Sequence, residues 1–264
     1  MTSKYELTSE TREFAGRTMH RIKALRDIPR HGVKAGDLGG WIEKEKNLSQ
    51  DGDCWVGDDA CVGGNARVWD DASVGGNARV WDNARVWDNA RVWDDASVGG
   101  NARVWGNASV WGNARVWGNA SVWDNARVWD NARVWDDASV GGNARVWGNA
   151  SVWGNARVWG NASVWDNAEI THTQHHLTIG PVGSEDITVT IWRTKDGHQV
   201  QAGCWGPGTL SGLAAEVKRR QGAEWEHRDP ADVGRWTAHY MHIIALGEAV
   251  AASWAAEPAT KEAK

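Results

Sequence analysis

Asn77-Ala-Arg-Val-Trp-Asp82-Asn83-Ala-Arg-Val-Trp-Asp88 repeats itself after six residues, and the same hexapeptide, closed by Asp or Gly, recurs from Asn65 to Asn167. Its aliphatic residue falls at Val56, Val62, Val68 and every sixth position thereafter to Val164 and Ile170, without a slip. In Ala-Arg-Val successive strand side chains alternate between faces, so Ala and Val turn inward while Arg, or the Ser that often replaces it, turns out. Asp-Asn, Asp-Asp and Gly-Asn then supply turn chemistry, because they tolerate positive φ and bond nearby backbone. Each hexapeptide is a short strand and a corner. One alone encloses no core, but stacked rungs bury a continuous one. The open ends of such a rod need covering.

Residues 56 to 170 resemble the hexapeptide repeat of left-handed β-helix proteins, where an aliphatic residue is followed four positions later by a small one, as in Val68 to Ala72 and Val80 to Ala84. The leader Gly39-Gly40-Trp41-Ile42, continued by Leu48-Ser-Gln-Asp-Gly-Asp-Cys54-Trp55, further resembles that of uncharacterised bacterial and prophage hexapeptide-repeat proteins. The resemblance implies a mainly β fold, a single-stranded β-solenoid with three hexapeptides per 18-residue triangular coil. About six coils would stack at roughly 4.8 Å. It also implies a homotrimer, as in many proteins of that fold. Here Trp mostly stands after the aliphatic residue, where that fold often has Gly.

The rest of the chain divides around the repeat. Residues 1–52 read as an N-terminal cap with short strands at Tyr5-Glu-Leu and Met19 to Leu25, entering the repeat register directly and sharing its core. Residues 53–170 are the β-helix. Residues 171–264 read as a small ββαα unit. Its strands run from Asp186 to Trp192 and from His198 to Trp205 about a Lys195-Asp196-Gly197 turn. Its helices are marked by Leu210, Leu213 and Val217, and by a start at Asp229-Pro230. The apolar stripe Val233, Trp236, Tyr240, Ile243, Ile244, Val250 and Trp254 on the last helix is a candidate trimer interface. The tail from Glu257-Pro258 to Lys264 is expected to fray.

The chain holds 21 Trp against 2 Tyr and 1 Phe, a ratio produced by copying one hexapeptide. A formal net charge of −5 carries no nucleic-acid footprint. Cys54, Cys61 and Cys204 form no CxxC, so neither a disulfide framework nor a zinc knuckle is expected. The charged start, Met1 to Leu7, lacks the apolar run of a signal peptide, and no stretch is apolar enough to span a bilayer. A cytoplasmic protein is expected, with the host cytoplasm or a virion as its place if it is phage-encoded.

Fourteen Trp follow the repeat valines: Trp69, Trp81, Trp87, Trp93, Trp105, Trp111, Trp117, Trp123, Trp129, Trp135, Trp147, Trp153, Trp159 and Trp165. Left singly exposed they would form an apolar surface beyond that of a soluble monomer. Stacked coil on coil they form a ladder worth roughly 0.5 to 1.5 kcal/mol per pair. Stacking consumes the ring faces that a ligand would need. Arg67, Arg85, Arg103, Arg127, Arg133 and Arg157 interleave with the rings in the manner of single-strand binding grooves. Nearby Asp residues instead favour a mosaic of weak surface ion pairs. His172, His175 and His176 are weak metal candidates, with a polar linker as the plainer reading. No cofactor motif stands out. The block Asp-Asp-Ala-Ser-Val-Gly-Gly starts at Asp70, Asp94 and Asp136, on three different sides of the prism, and Gly75, Gly99 and Gly141 interrupt different Trp columns. That spacing predicts expansion blind to side, with no 18-residue bias.

Function read this way favours a non-enzymatic scaffold or interaction module, plausibly phage-derived, with a protein partner held by the cap or the C-terminal unit. The alternative is a Trp/Arg column surface for glycan or single-stranded nucleic acid. More distant is an acyltransferase-like enzyme, since that fold's acyltransferases use a coil-surface His and none lies between Val56 and Ile170.

Overall fold

A computed structural model describes residues 3–255 of the 264-residue chain. The tail expected to fray from Glu257 onward lies outside the described residues. A hairpin, β1 (Tyr5–Phe14) and β2 (Arg17–Ala24), pairs antiparallel with β3 (Leu38–Ile42). Twenty two-residue strands follow, from β4 (Trp55–Val56) to β23 (Glu169–Ile170). Each pairs in parallel with the strand three along, Val directly over Val, as in Val74 over Val56 and Val80 over Val62. The repeat therefore closes into a β-solenoid with three sheet sides. Side I contains β4 and ends at β22, side II contains β5 and ends at β23, and side III runs from β6 to β21.

Sides I and II each hold seven repeat strands, so the rod has about seven turns rather than six. The leader adds two further rungs beneath them. Ile42 pairs in parallel with Val62 on side II and Leu48 with Val68 on side III, each 20 residues apart instead of 18. The additional length is taken up around Gly52, which has φ +66°.

The inward assignment holds throughout. Every Ala and Val of the repeat from Ala60 to Val164 is at most 1% exposed, in one core that runs from Tyr5 to Ile170 and takes in Trp192. Each buried valine contributes about 1.5 kcal/mol by area. Corners close by a hydrogen bond from the Ala N–H to the carbonyl three residues earlier, as in Ala72 to Trp69. The second turn residue has positive φ in every copy, the type II′ pattern. It is always Asp or Gly. The Asn after it forms a different feature, a line of side-chain hydrogen bonds along the rod such as Asn65 to Asn83 to Asn101 to Asn119.

The corner column carries the side bias that block spacing did not show. After side I the order is Asp58, Gly76, Asp94, Gly112, Asp130, Gly148, Asp166, a strict alternation. Gly76 N–H donates to Asp58 at 2.9 Å and Gly112 N–H to Asp94 at 3.1 Å. A Cβ on Gly112 would lie 2.8 Å from the Asp130 nitrogen. Across all three corners, Asp88 over Asp70 is the one place where Asp directly follows Asp. Two carboxylates about 4.8 Å apart repel by about 0.9 kcal/mol even in water, a cost that the alternating column avoids.

Beyond the rod stands an antiparallel sheet of four strands, not two: β24 (His176–Val182), β25 (Ile187–Thr194), β26 (Gly197–Ala202) and β27 (Trp205–Gly208). β25 and β26 form the expected hairpin, with Thr194 opposite Gly197. Helices α1 (Leu210–Gln221) and α2 (Pro230–Ala255) pack on this sheet. Asp229 caps α2 by accepting from Ala231 N–H at 2.8 Å. Tyr240, Ile243, Ile244 and Trp254 are buried in this unit's own core, so the stripe offered as a trimer interface is already covered. Among the described residues no helix is long and apolar enough to cross a membrane.

Candidate functional site

Side-chain placement on the rod follows from the corner geometry. The residue after Val leaves the sheet at the corner, where successive coils bring like residues into line. Trp69, Trp87, Trp105 and Trp123 stack on side III with centroids 5.0 to 5.5 Å apart. Trp111, Trp129, Trp147 and Trp165 do so on side I at 4.8 to 5.1 Å. Non-repeat aromatics finish two columns: Phe14 of the cap hairpin stacks on Trp81 at 5.3 Å, and Trp192 of β25 meets Trp165 at 6.3 Å. Trp135 and Trp153 are tilted at 5.9 Å.

Glycine breaks these ladders and decides which rings face solvent. A Cβ on Gly75 would strike Trp93, and one on Gly99 would strike Trp117, because both rings lean onto the bare backbone one coil below. Trp123 leans onto Gly141 from the other direction, leaving Trp159 unsupported. Trp93, Trp117 and Trp159 are the rod's exposed tryptophans, at 41%, 38% and 50%.

The arginines do not form the expected ion-pair mosaic. Arg67, Arg85, Arg103, Arg127, Arg133 and Arg157 are all exposed, and among the described residues no repeat arginine has a carboxylate within 4.0 Å. The corner Asp residues instead turn one carboxylate oxygen to a backbone N–H of the next coil, as Asp58 and Asp94 do. Arg133 and Arg157 instead lie 5.8 and 5.9 Å from the rings of Trp135 and Trp159.

The three C-terminal histidines are parts of a joint, not a linker. His175 is buried; its Nδ1 lies 3.2 Å from the donating Thr171 N–H, and its ring meets Trp254 edge-on. His176 Nε2 lies 2.8 Å from the Arg157 carbonyl, so this nitrogen carries the proton. Burial lowers the His176 pKa, with the hydrogen bond to Arg157 opposing. His172 stands exposed with its ring edge toward His175. Facing different partners, the three do not converge on one point.

Trp93, Trp111 and Arg127 of the candidate columns come together with residues that sequence reasoning missed where the cap overhangs side I. The short 3-10 turn Pro29–His31 reaches over the first coils, and Arg30 holds it there through Asp71, at 3.6 Å, and Asn89. Beneath it opens a cleft of about 890 Å³ reaching from Trp55 past Arg91, Trp93 and Trp111 to Arg127. Gly57 and Gly75, the two consecutive positions of this column without a ring, leave the room. Trp93 is fixed by its indole N–H, which donates to Ser73 Oγ at 3.0 Å. His31 lines the wall with Nε2 buried and without a hydrogen-bond partner. Burial first, then the Arg30 charge, depress its pKa, so the ring is neutral at neutral pH. The paired Gly57 and Gly75 were the available signal, but nothing in sequence tells that residues 29–33 fold back over them.

No protein-family model matches the chain. Among curated proteins it is similar to YdcK, an uncharacterized acetyltransferase of Escherichia coli (strain K12), at 34% identity over 79 residues. The similarity covers 24% of this chain and 24% of that protein, so the chain spans about a quarter of the length of the curated relative it matches.

Proposed function

We propose that this protein is a non-enzymatic solenoid scaffold whose rod sets a length and whose ends carry recognition. The observation behind this reading is the cleft at the cap. It is lined by non-repeat residues 30–33, 37 and 38 as well as by repeat residues, whereas most tryptophan faces along the rod are spent on one another. At the other end, Met241 and Leu246 each stand 48% exposed on α2, on different flanks of the helix, and offer a second place for a protein partner. A phage or prophage origin and a cytoplasmic or virion setting belong to this reading through the likeness of the leader.

The experiment is affinity capture of the full chain from its native host with mass spectrometry. It compares the unaltered protein with Arg91→Ser plus Trp93→Ala in the cleft, and with Met241→Lys plus Leu246→Lys on α2. A partner lost from one variant and kept by the other locates recognition. Identical partner sets for all three would sink the placement at the ends. Removing residues 171–264 is a poorer test, because Trp192 and β25 cover the last coil.

A second reading is acyl transfer. The similarity to an acetyltransferase favours it, as does a neutral imidazole at His31 in a cleft of substrate size. An assay of thiol release from an acetyl thioester, with amine and hydroxyl acceptors, separates the two. Turnover that His31→Asn removes would replace the scaffold reading.

A further inference from the structure

We propose that the cleft between the cap loop and side I binds an oligosaccharide lying along the rod. This narrows the reading that recognition resides at the cap end, and rests on it. The polar groups of the cleft decide the class. Arg91 and Arg127 stand two coils apart, roughly 10 Å, on the outward column of one sheet. Among the described residues neither has a carboxylate within 4.0 Å, so both guanidinium forks can donate to a ligand. Asp58 and Asp94 each commit one carboxylate oxygen to a glycine N–H one coil above. The other oxygen remains an acceptor.

Donors at Arg91 and Arg127 and acceptors at Asp58 and Asp94 therefore both line the cleft, beside the exposed ring of Trp93. A hydroxyl both donates and accepts, so a chain of hydroxyls with apolar ring faces satisfies every one of these groups. A polyanion would satisfy the arginines and be repelled by Asp58 and Asp94, on a chain of net charge −5. An apolar peptide would leave both guanidinium groups and both carboxylates without new partners, at the usual cost of desolvated polar groups. The length also fits. From Trp55 to Arg127 is four coil steps, about 19 Å, enough for a short oligosaccharide. The ring of Trp93 is held by its bond to Ser73 and by the bare backbone of Gly75 beneath, so little ordering remains for a ligand to impose.

The test is titration of the full chain with cellotetraose, chitotetraose, maltotetraose and xylotetraose, read by ligand-observed NMR and by tryptophan fluorescence. At least one should bind. Trp93→Ala should weaken that binding at least tenfold and Arg91→Ser comparably. Ser already stands at positions 73 and 109 of the same column, so Arg91→Ser tests the site without risk to the fold. Trp159→Ala, an equally exposed ring on side III, should leave binding unchanged. Absence of binding by all four sugars at millimolar concentration would overturn the proposal. So would equal weakening by Trp159→Ala, or displacement of the sugar by a single-stranded oligonucleotide. Sugar binding that survives while host capture shows no partner refutes the scaffold reading alone. Specific capture without sugar binding refutes this inference alone.

Discussion

Gly112→Asp tests whether the Asp-over-Gly order of the corner column is physical. The substitution places three carboxylates in succession, Asp94, position 112 and Asp130. Backbone conformation is no obstacle, since Gly112 at φ +65° matches Asp94 at +58° and Asp130 at +57°. Two effects remain. The new Cβ would lie 2.8 Å from the Asp130 nitrogen, forcing the corners apart, at a cost on the order of 1 to 3 kcal/mol. Two carboxylate contacts at about 4.8 Å add roughly 1.7 kcal/mol in water. Gly112→Asn carries the steric part without the charge. Urea unfolding at low ionic strength should therefore place the Asp variant below the Asn variant by about 1 to 2 kcal/mol. In 1 M salt, where the screening length falls to about 3 Å, that gap should close while both variants stay below the parent. Equal stability of the two variants at low salt, or a gap indifferent to salt, would refute the electrostatic account of the alternation.

Removing a ring inside a ladder and one beyond a break should differ. Trp87→Ala forfeits two stacked neighbours, roughly 1 to 3 kcal/mol of stacking, whereas Trp159→Ala should cost under about 1 kcal/mol; thermal melts of the two variants compare them directly. The depressed pKa of His176 means the unfolded chain binds its proton more readily. Stability from this joint is complete above about pH 6.5 and is lost as pH falls toward the lower folded value, so a melt series from neutral to acid pH should flatten in His176→Gln. Lys4 is fully buried with its side-chain nitrogen 3.0 Å from Cys54 Sγ and 3.3 Å from the Asp51 carbonyl, and among the described residues it has no carboxylate within 4.0 Å. Lys4→Met should then be neutral or stabilising in denaturant titration, and a loss of several kcal/mol would show that the buried amine is required.

The hexapeptide period alone determined the solenoid. A residue that recurs every six places with strand alternation can bury its valines and alanines in one way, and the inward column from Val56 to Ile170 follows it without exception. Period also determined that the tryptophans would align, because parallel coils superimpose equivalent corners. The hairpin at Lys195-Asp196 and the Asp229-Pro230 helix start were legible from local turn and cap chemistry, which needs no distant partner.

Tertiary structure alone decided the rest. Which tryptophans face solvent depends on a glycine one coil away, 18 residues distant in sequence. Whether Arg and Asp pair depends on where the corners aim the carboxylates, toward the backbone N–H one coil above. The cleft depends on Arg30 reaching Asp71 and Asn89, contacts separated by 41 and 59 residues that no periodicity encodes. Repetition carries its own register in every copy, while a single overhanging loop is placed only by the surfaces it meets when the chain has folded.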